Sequence, residues 1–371
     1  MNDIAAGHGR HVIVGLSGGV DSAVSAWRLK AAGWRVSALF MVNWTEDEAG
    51  YCTAADDFQS ARAVCEELDI PLHRVDFSAI YRRQVFDHFL AAYAAGKTPN
   101  PDLACNREVK FGPFIDHARR LGADCVATGH YARLAHDTHG AHLLRATDEN
   151  KDQTYFLATV DVERFENVLF PIGDLTKPEV RELARKAGLP NHTRHDSTGI
   201  CFIGERHLRP FLSRYLTARP GPILTVDGRK VGEHAGLWAY TLGQRRGLNV
   251  GGQPAAKEAP WYVVDKDPAR NALIVSQHHD DPRLLSNTLG IASFHWLHRP
   301  AAFPVTLTGR VRHRQPLQAV EVHLTGKSGV HAVFATPQRA VVPGQYLVLY
   351  AGEECLGGGE ITSVGAQDSV S

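Results

Sequence analysis

From His11 to about Gly129 short apolar runs alternate with stretches of helical period, as in a doubly wound sheet. His11–Leu16, Arg35–Val42, Pro71–Phe77 and Asp124–Thr128 are predicted strands, and between the first two Val20, Ala23, Val24, Trp27 and Ala31 recur at helical spacing. The pattern predicts an α/β fold with a mostly parallel sheet. Lys177–Ala187 reads as a further helix, with Pro178 in its first turn and Gly188 just past its end. After about Gly204 the texture changes: Asp227-Gly228 signals one hairpin, and WYVVDKD leading to NALIVS signals another. From Ser286 onward, runs such as PVTLTGRVRHR and QYLVLY alternate apolar and polar residues between turns, which predicts a β-barrel or sandwich. The expected organisation is an α/β domain over 1–205, a small central β-containing domain over 206–285 and a C-terminal β-barrel over 286–371.

Length agrees with several domains, since 371 residues exceed the roughly 250 to 300 that one core supports. With 44% hydrophobic and 22% charged residues the chain is an ordinary globular one. The first ten residues lack a secretory apolar region, and no run approaches the roughly 18 to 20 apolar residues that span a bilayer, so a cytoplasmic protein without a membrane partner is expected. Its six cysteines include no CxxC pair and its 20 histidines no metal-ligand spacing, so no protein-bound metal is expected. Net charge is zero, which confines any nucleic-acid site to a local basic patch.

Ser17-Gly18-Gly19-Val20-Asp21-Ser22 stands between the first strand and an amphipathic helix. Glycines there admit an anion to the backbone amides, the serines add hydroxyl donors, and the helix N-terminus adds partial positive charge. It lacks both the Gly-Lys-Ser/Thr of a Walker loop and the GxGxxG of a dinucleotide fold, and reads as a pyrophosphate cradle. In this it resembles the PP-loop ATPases. Two cysteines sit in unusual loops. Cys105 follows the Pro-stiffened Thr98-Pro99-Asn100-Pro101-Asp102, and is either a buried small hydrophobe or a nucleophile beside a carboxylate. Cys201 lies in Asp196-Ser197-Thr198-Gly199-Ile200-Cys201-Phe202-Ile203-Gly204, and is either packed beside Phe202 or carried on a mobile loop. Cys65 and Cys125 fall on predicted core faces.

Together these segments resemble the bacterial-type tRNA 2-thiouridylases from about Val12 to Ile361, through GLSGGVDSAVSAW, LFMVNW, TPNPDLACNREVKF, ATGHYARL, NKDQTYFL, DSTGICFIGERHLRPFL, TLGQRRGLNVGG, PWYVVDKD and CLGGGE. His313 stands where that family leads one to expect tyrosine. The resemblance implies that Gly15, Leu16, Ser17, Gly18, Gly19, Val20, Asp21 and Ser22 bind ATP with Mg²⁺, that Met41 meets the adenine and that Gly129 completes the pocket. It further implies that Asn100, Pro101 and Asp102 surround the target uridine of tRNA. Lys151, Asp152, Gln153, His130, Arg312, His313 and Gln345 would contact RNA. Arg245 and Arg246 are either RNA contacts or a charged surface, and Arg310, Arg312 and Arg314 would form part of the basic patch.

The implied chemistry is ATP-dependent 2-thiolation of the wobble uridine. Adenylation makes the C2 oxygen a leaving group, and a persulfide on Cys201, charged by a sulfur-donor protein, supplies sulfur. Sulfur attacks C2 directly from the persulfide, or as hydrosulfide after Cys105 releases it by forming a transient Cys105–Cys201 disulfide, and expels AMP; Asp102 is the candidate acid/base. Both cysteines are then expected to be accessible before tRNA binds. Two rivals are another PP-loop ligase acting on a small metabolite and a non-catalytic RNA-binding protein that kept a nucleotide fold.

Overall fold

The computed structural model describes residues 6–44, 53–195, 208–250 and 259–365. Cys201 and the whole DSTGICFIG segment, and Cys52, therefore lie outside the described residues.

The first domain is built on the parallel strands β1 (His11–Gly15), β2 (Arg35–Val42), β3 (Leu72–Asp76), β4 (Cys125–Thr128) and a two-residue strand Val168–Leu169, in the order β3-β2-β1-β4 and then that short strand. Alternate residues serve opposite faces: Ile13, Leu39 and Val126 enter one core, while Val12, Val14, Ala38, Phe40 and Ala127 enter the other. A sheet buried on both sides needs such strands, and the four expected ones are present within one residue at each end. Helices α1 (Val20–Ala31) and α2 (Thr53–Leu68) cover the second face, where Cys65 and Cys125 are buried as expected. Cys65 is held as a thiol, its pKa pushed up to about 12 by burial and then by Glu66.

The helices of the other face include Asp87–Ala94 and Pro101–Cys105, and the latter runs on into a wider π-type turn, Asn106–Lys110. The predicted helix at 177 spans Lys177–Lys186; its Glu179 carboxylate accepts from the Thr176 N–H at 2.7 Å, an N-terminal box that TKPE encodes.

The central region forms a four-stranded sheet from two hairpins, Gly221–Thr225 with Lys230–His234 and Tyr262–Asp267 with Ala272–Ser276, joined by a parallel pairing of the first and last of these strands. The C-terminal strands run antiparallel from Leu285–Ile291 to Glu354–Glu360. Ile291 at one end of that path lies against Gly359 at the other, so the sheet curls around Leu289, Phe294, Val320, Phe334 and Leu347.

The hairpin Arg133–Asp137/Gly140–Leu144, which follows β4 in the first domain, joins the C-terminal sheet through Leu144 opposite Glu354. Val348, Tyr350 and Cys355 from that sheet are buried in the same core as Tyr155, Leu157 and Ala158. The first and last regions are thus welded through one apolar core. The turn Leu208–Leu212 also packs there through Phe211 and Leu212.

Candidate functional site

In an open parallel sheet ligands bind beyond the carboxyl ends of the strands, where the order of connection reverses. Here that point lies between β1 and β4, and the loops following both strands meet at it. The loop after β1 carries Ser17 to Gly19, with Gly18 at φ +81° and Gly19 capping α1 in extended conformation. The loop after β4 brings Gly129 so close to α1 that a Cβ on it would stand 2.7 Å from the Ser22 nitrogen. Ser17 is exposed, and its N–H donates to Ser22 Oγ at 3.2 Å. The first turn of α1 is therefore open on one side for an anion and tightly backed on the other. Met41, half-buried at the end of β2, stands on the neighbouring strand.

Two further contacts fix the loop. The Gly18 carbonyl accepts from Ser60 Oγ at 2.7 Å, Asn191 Nδ2 at 2.9 Å and Arg194 Nη1 at 3.2 Å, and Arg194 also pairs with Asp57. Because the C=O and N–H of one peptide unit point opposite ways, pinning that carbonyl inward turns the Gly19 N–H toward the loop's open side. Asp57 is half-buried, and burial raises its pKa although Arg194 opposes the rise. The second contact is at Asp21, whose Oδ1 accepts from Tyr131 Oη at 2.8 Å and Lys177 Nζ at 2.7 Å. The sequence reading missed Lys177, Asn191 and Arg194, because nothing local links them to a loop more than 150 residues earlier. Tyr131 lay in a recognised segment, yet its phenol's reach to Asp21 is purely tertiary.

From Tyr131 the contacts continue toward the expected RNA-binding positions. Tyr131 N–H donates to Gln153 Oε1 at 2.9 Å, and Gln153 N–H donates back to the Tyr131 carbonyl at 2.8 Å. His313 Nε2 donates to the Asp152 carbonyl at 2.8 Å, and Tyr155 Oη donates to the carbonyls of Val311 and Tyr346. Residues 151–153, 311–313 and 345–346 thus form one patch drawn from distant parts of the chain. Asn100, Pro101 and Asp102 begin a short helix, where Asn100 Oδ1 caps the Asp102 N–H at 3.0 Å. Thr98 just before them donates its N–H to the Pro343 carbonyl at 3.2 Å, Lys97 pairs with Glu360 at 2.7 Å, and Thr98 Oγ1 lies 3.4 Å from Thr241 Oγ1. All three regions of the chain meet at this loop.

Six residues expected to meet RNA or to be accessible are buried or bonded internally in this structure. His130 is only 8% exposed, its Nδ1 is 2.7 Å from Thr128 Oγ1, and burial, aided by Lys110, holds its pKa well below the ordinary imidazole value. It is a neutral core histidine and meets RNA only if the substrate opens this layer. Asp152 is buried, accepting from Ala146 N–H and Thr154 and pairing with Arg310, which donates to Tyr350 Oη at 2.8 Å. Arg310 is therefore an internal cation, and of the arginine run only Arg314 is exposed. Arg312 is half-buried and donates to the carbonyls of Arg339 and Ala340, while Gln345 Oε1 receives the Val342 N–H at 3.4 Å. Lastly, Cys105 is 0% exposed among Leu103, Val109 and Phe111, against the expectation of an accessible thiol. Its helix ends in a deeply packed turn, where Asn106 Nδ2 holds the Phe156 carbonyl at 3.0 Å.

Among the described residues one group has metal-ligand proximity: His142, His298 and Glu354 at the junction of the first domain's hairpin with the C-terminal sheet. Hydrogen bonds already account for it. His142 Nδ1 is 2.7 Å from Glu354, His298 Nε2 donates to the Ala141 carbonyl at 3.0 Å, and the two rings stack at 4.2 Å. No described helix is long and apolar enough to cross a membrane.

Family models match nearly the whole chain: a tRNA methyl transferase HUP domain at residues 10–205, a tRNA methyl transferase PRC-barrel domain at 209–277 and an aminomethyltransferase β-barrel domain at 286–361. The tRNA-specific 2-thiouridylase MnmA of Alcanivorax borkumensis is 53% identical over 94% of this chain and 96% of its own length. That of Stenotrophomonas maltophilia is 53% identical over 96% of this chain and 94% of its own. Among solved structures the U34-tRNA thiolase NcsA of Methanococcus maripaludis shows a partial likeness, 19% identical with a TM-score of 0.34, over 56% of this chain and 64% of that one.

Proposed function

Because the chain belongs to the tRNA-specific 2-thiouridylase family, thiolation of a transfer-RNA uridine is its reaction, and we propose that it proceeds by ATP-dependent adenylation of the wobble uridine at the C2 oxygen followed by sulfur transfer from a cysteine persulfide. The observation that carries the nucleotide half of this reading is the backed, outward-facing first turn of α1. There Gly19 and Ser17 meet the phosphates, Gly129 closes the floor, and Lys177 and Asp21 flank the loop. Attack of the C2 oxygen on the α-phosphorus releases pyrophosphate, whose charge these amides and Lys177 stabilise. Asp21 also offers a hard oxygen donor of the kind Mg²⁺ takes, and the ion when bound would neutralise the departing phosphates.

The uridine must leave its stack to present C2, which costs a few kcal/mol and is easiest in an anticodon loop. Asn100, Pro101 and Asp102 receive it at the junction of the three regions, and Asp102 acts as the acid/base. Lys151, Gln153 and His313, with exposed Arg245, Arg246 and Arg314, hold the RNA around it. Sulfur arrives as a persulfide on Cys201 from a donor protein, attacks C2 and expels AMP. Burial of Cys105 favours direct attack by that persulfide, whose outer sulfur becomes bonded to C2. Once its helix shifts, the Cys105 thiolate attacks Cys201 Sγ, breaking the S–S bond to release the 2-thiouridine and leaving a Cys105–Cys201 disulfide that an external thiol reduces for the next turnover. Pyrophosphate release that depends on tRNA tests the reading. A ligase of small metabolites would release it without tRNA, and a non-catalytic RNA-binding protein would not release it at all.

A further inference from the structure

A cavity of about 460 Å³ lies between the first and central regions and takes no part in the steps above. Tyr93, Arg209, Trp238, Ala239, Thr241 and Gln244 line it. Each wall is anchored. Tyr93 packs edge-on against Phe89 with centroids 4.9 Å apart, and Arg209 lies in the helical turn Leu208–Leu212, whose Phe211 packs on Trp44 at 6.0 Å. The Arg209 guanidinium carbon lies 4.5 Å from the centroid of the Tyr240 ring, and the side chain donates to the Gly247 carbonyl at 3.1 Å. Gln244 closes the loop above, receiving the Thr241 N–H at 3.1 Å and donating to the Arg246 carbonyl at 2.8 Å. Arg245 and Arg246, which follow it directly, are exposed.

Among the described residues the lining combines aromatic faces, a planar cation, an amide, a hydroxyl and the apolar Pro210 and Leu212, with no carboxylate. That set suits a nucleobase: rings and guanidinium planes stack on any base, and single-stranded nucleic acid is held by such platforms beside cations for its phosphates. The volume falls within the range of small-ligand sites, about 300 to 1,000 Å³. Position supports the same reading, because the lining residue Thr241 touches Thr98, two residues before Asn100. Flipping one nucleotide out of a loop also strips its neighbour of a stacking partner, so a second platform nearby lowers the cost of extrusion.

We propose that this cavity receives a second, unstacked base of the RNA substrate, a neighbour of the uridine under reaction, with Trp238 and Tyr93 as stacking faces and Arg245 and Arg246 on the adjoining phosphates. The proposal rests on the RNA-substrate reading and adds a site to it.

The test uses the full chain and an anticodon stem-loop in which one loop nucleotide at a time is abasic. For the wild type, one position other than the target should lose about tenfold in affinity when its base is removed. Ala239→Phe, which fills the cavity, should lose about tenfold on intact RNA and then be indifferent to that same abasic site. Trp238→Phe should stay sensitive and Trp238→Ala should not, with melting and ATP binding as controls of folding. Independent, additive losses from the cavity variants and the abasic site would overturn the proposal, as would a folded Ala239→Phe protein that binds intact RNA as the wild type does. If the wild type thiolates the stem-loop and only these couplings fail, the cavity assignment alone falls; if it neither binds nor thiolates the RNA, the functional reading falls with it.

Discussion

Lys177 Nζ lies 2.7 Å from Asp21 Oδ1, which joins the N-terminus of the Lys177–Lys186 helix to the first turn of α1 across the mouth of the phosphate loop. Lys177 is 9% exposed and Tyr131 donates to the same oxygen, so Asp21 balances a nearly buried charge beside the loop proposed to hold the nucleotide.

Asp21→Ala should therefore abolish tRNA-dependent pyrophosphate release and also lower stability, by about 2 kcal/mol, since a cation and a phenol lose their acceptor. Asp21→Asn keeps an acceptor and should melt closer to the wild type while remaining inactive. Thermal melting beside a pyrophosphate assay separates the two effects.

Gly129→Ala places a Cβ 2.7 Å from the Ser22 nitrogen and 2.9 Å from the Asp21 carbonyl carbon. Backbone, not a flexible side chain, has to yield, so the first turn of α1 should shift at a cost of about 1 to 3 kcal/mol. Titration with ATP should show affinity reduced at least tenfold, while tRNA affinity stays within about twofold of the wild type. Unchanged ATP affinity would place the nucleotide elsewhere.

Arg310 and Asp152 form a buried pair that ties the C-terminal sheet to the first domain. Removing one partner of such a pair costs about 3 to 5 kcal/mol. Arg310→Met or Asp152→Asn should each lower the melting temperature markedly, and the double substitution should cost less than the sum. Arg314→Ala should leave melting unchanged and reduce the log–log salt slope of tRNA binding by nearly one unit. Truncation after Leu285 should unfold part of the first domain too, because Val348, Tyr350 and Cys355 belong to its core.

Local patterns make much of this legible in the sequence, and what they leave out has a common cause. The strands and the phosphate loop announced themselves because a doubly buried strand and a Gly-rich strand-to-helix turn are local patterns. Arg310 looked like an open cation because its partner is 158 residues away, beyond what local charge patterning shows. Cys105 showed a functional setting, but its burial depends on Phe111 and Phe156 packing about it, which no spacing encodes. The hairpin 133–144 gave no sign of joining the C-terminal sheet, since its pairing with Glu354 is tertiary.

His142 reports on that junction through pH. Hydrogen bonding to Glu354, and then to Asp137 whose Oδ1 is 3.0 Å away, raises its pKa above 6.5. A raised folded-state value means that the stabilisation is complete below the unfolded pKa of about 6.5 and is lost as pH rises through the folded value. Melting temperature should accordingly fall as pH is raised from about 6 through the region above 6.5. In His142→Gln that segment of the profile should be flat, and an identical slope in both proteins would remove His142 as its source.

On the proposed mechanism, ATP and a persulfide on this chain place sulfur at C2 of a wobble uridine. Mass spectrometry of nucleosides from tRNA incubated with the protein, ATP, Mg²⁺ and a persulfide donor tests it directly. The expected product is 2-thiouridine at the wobble position of the anticodon, absent without ATP and absent with Cys201→Ser. Sulfur incorporated without ATP, a thiolated base at another position, or full thiolation by Cys201→Ser would contradict it.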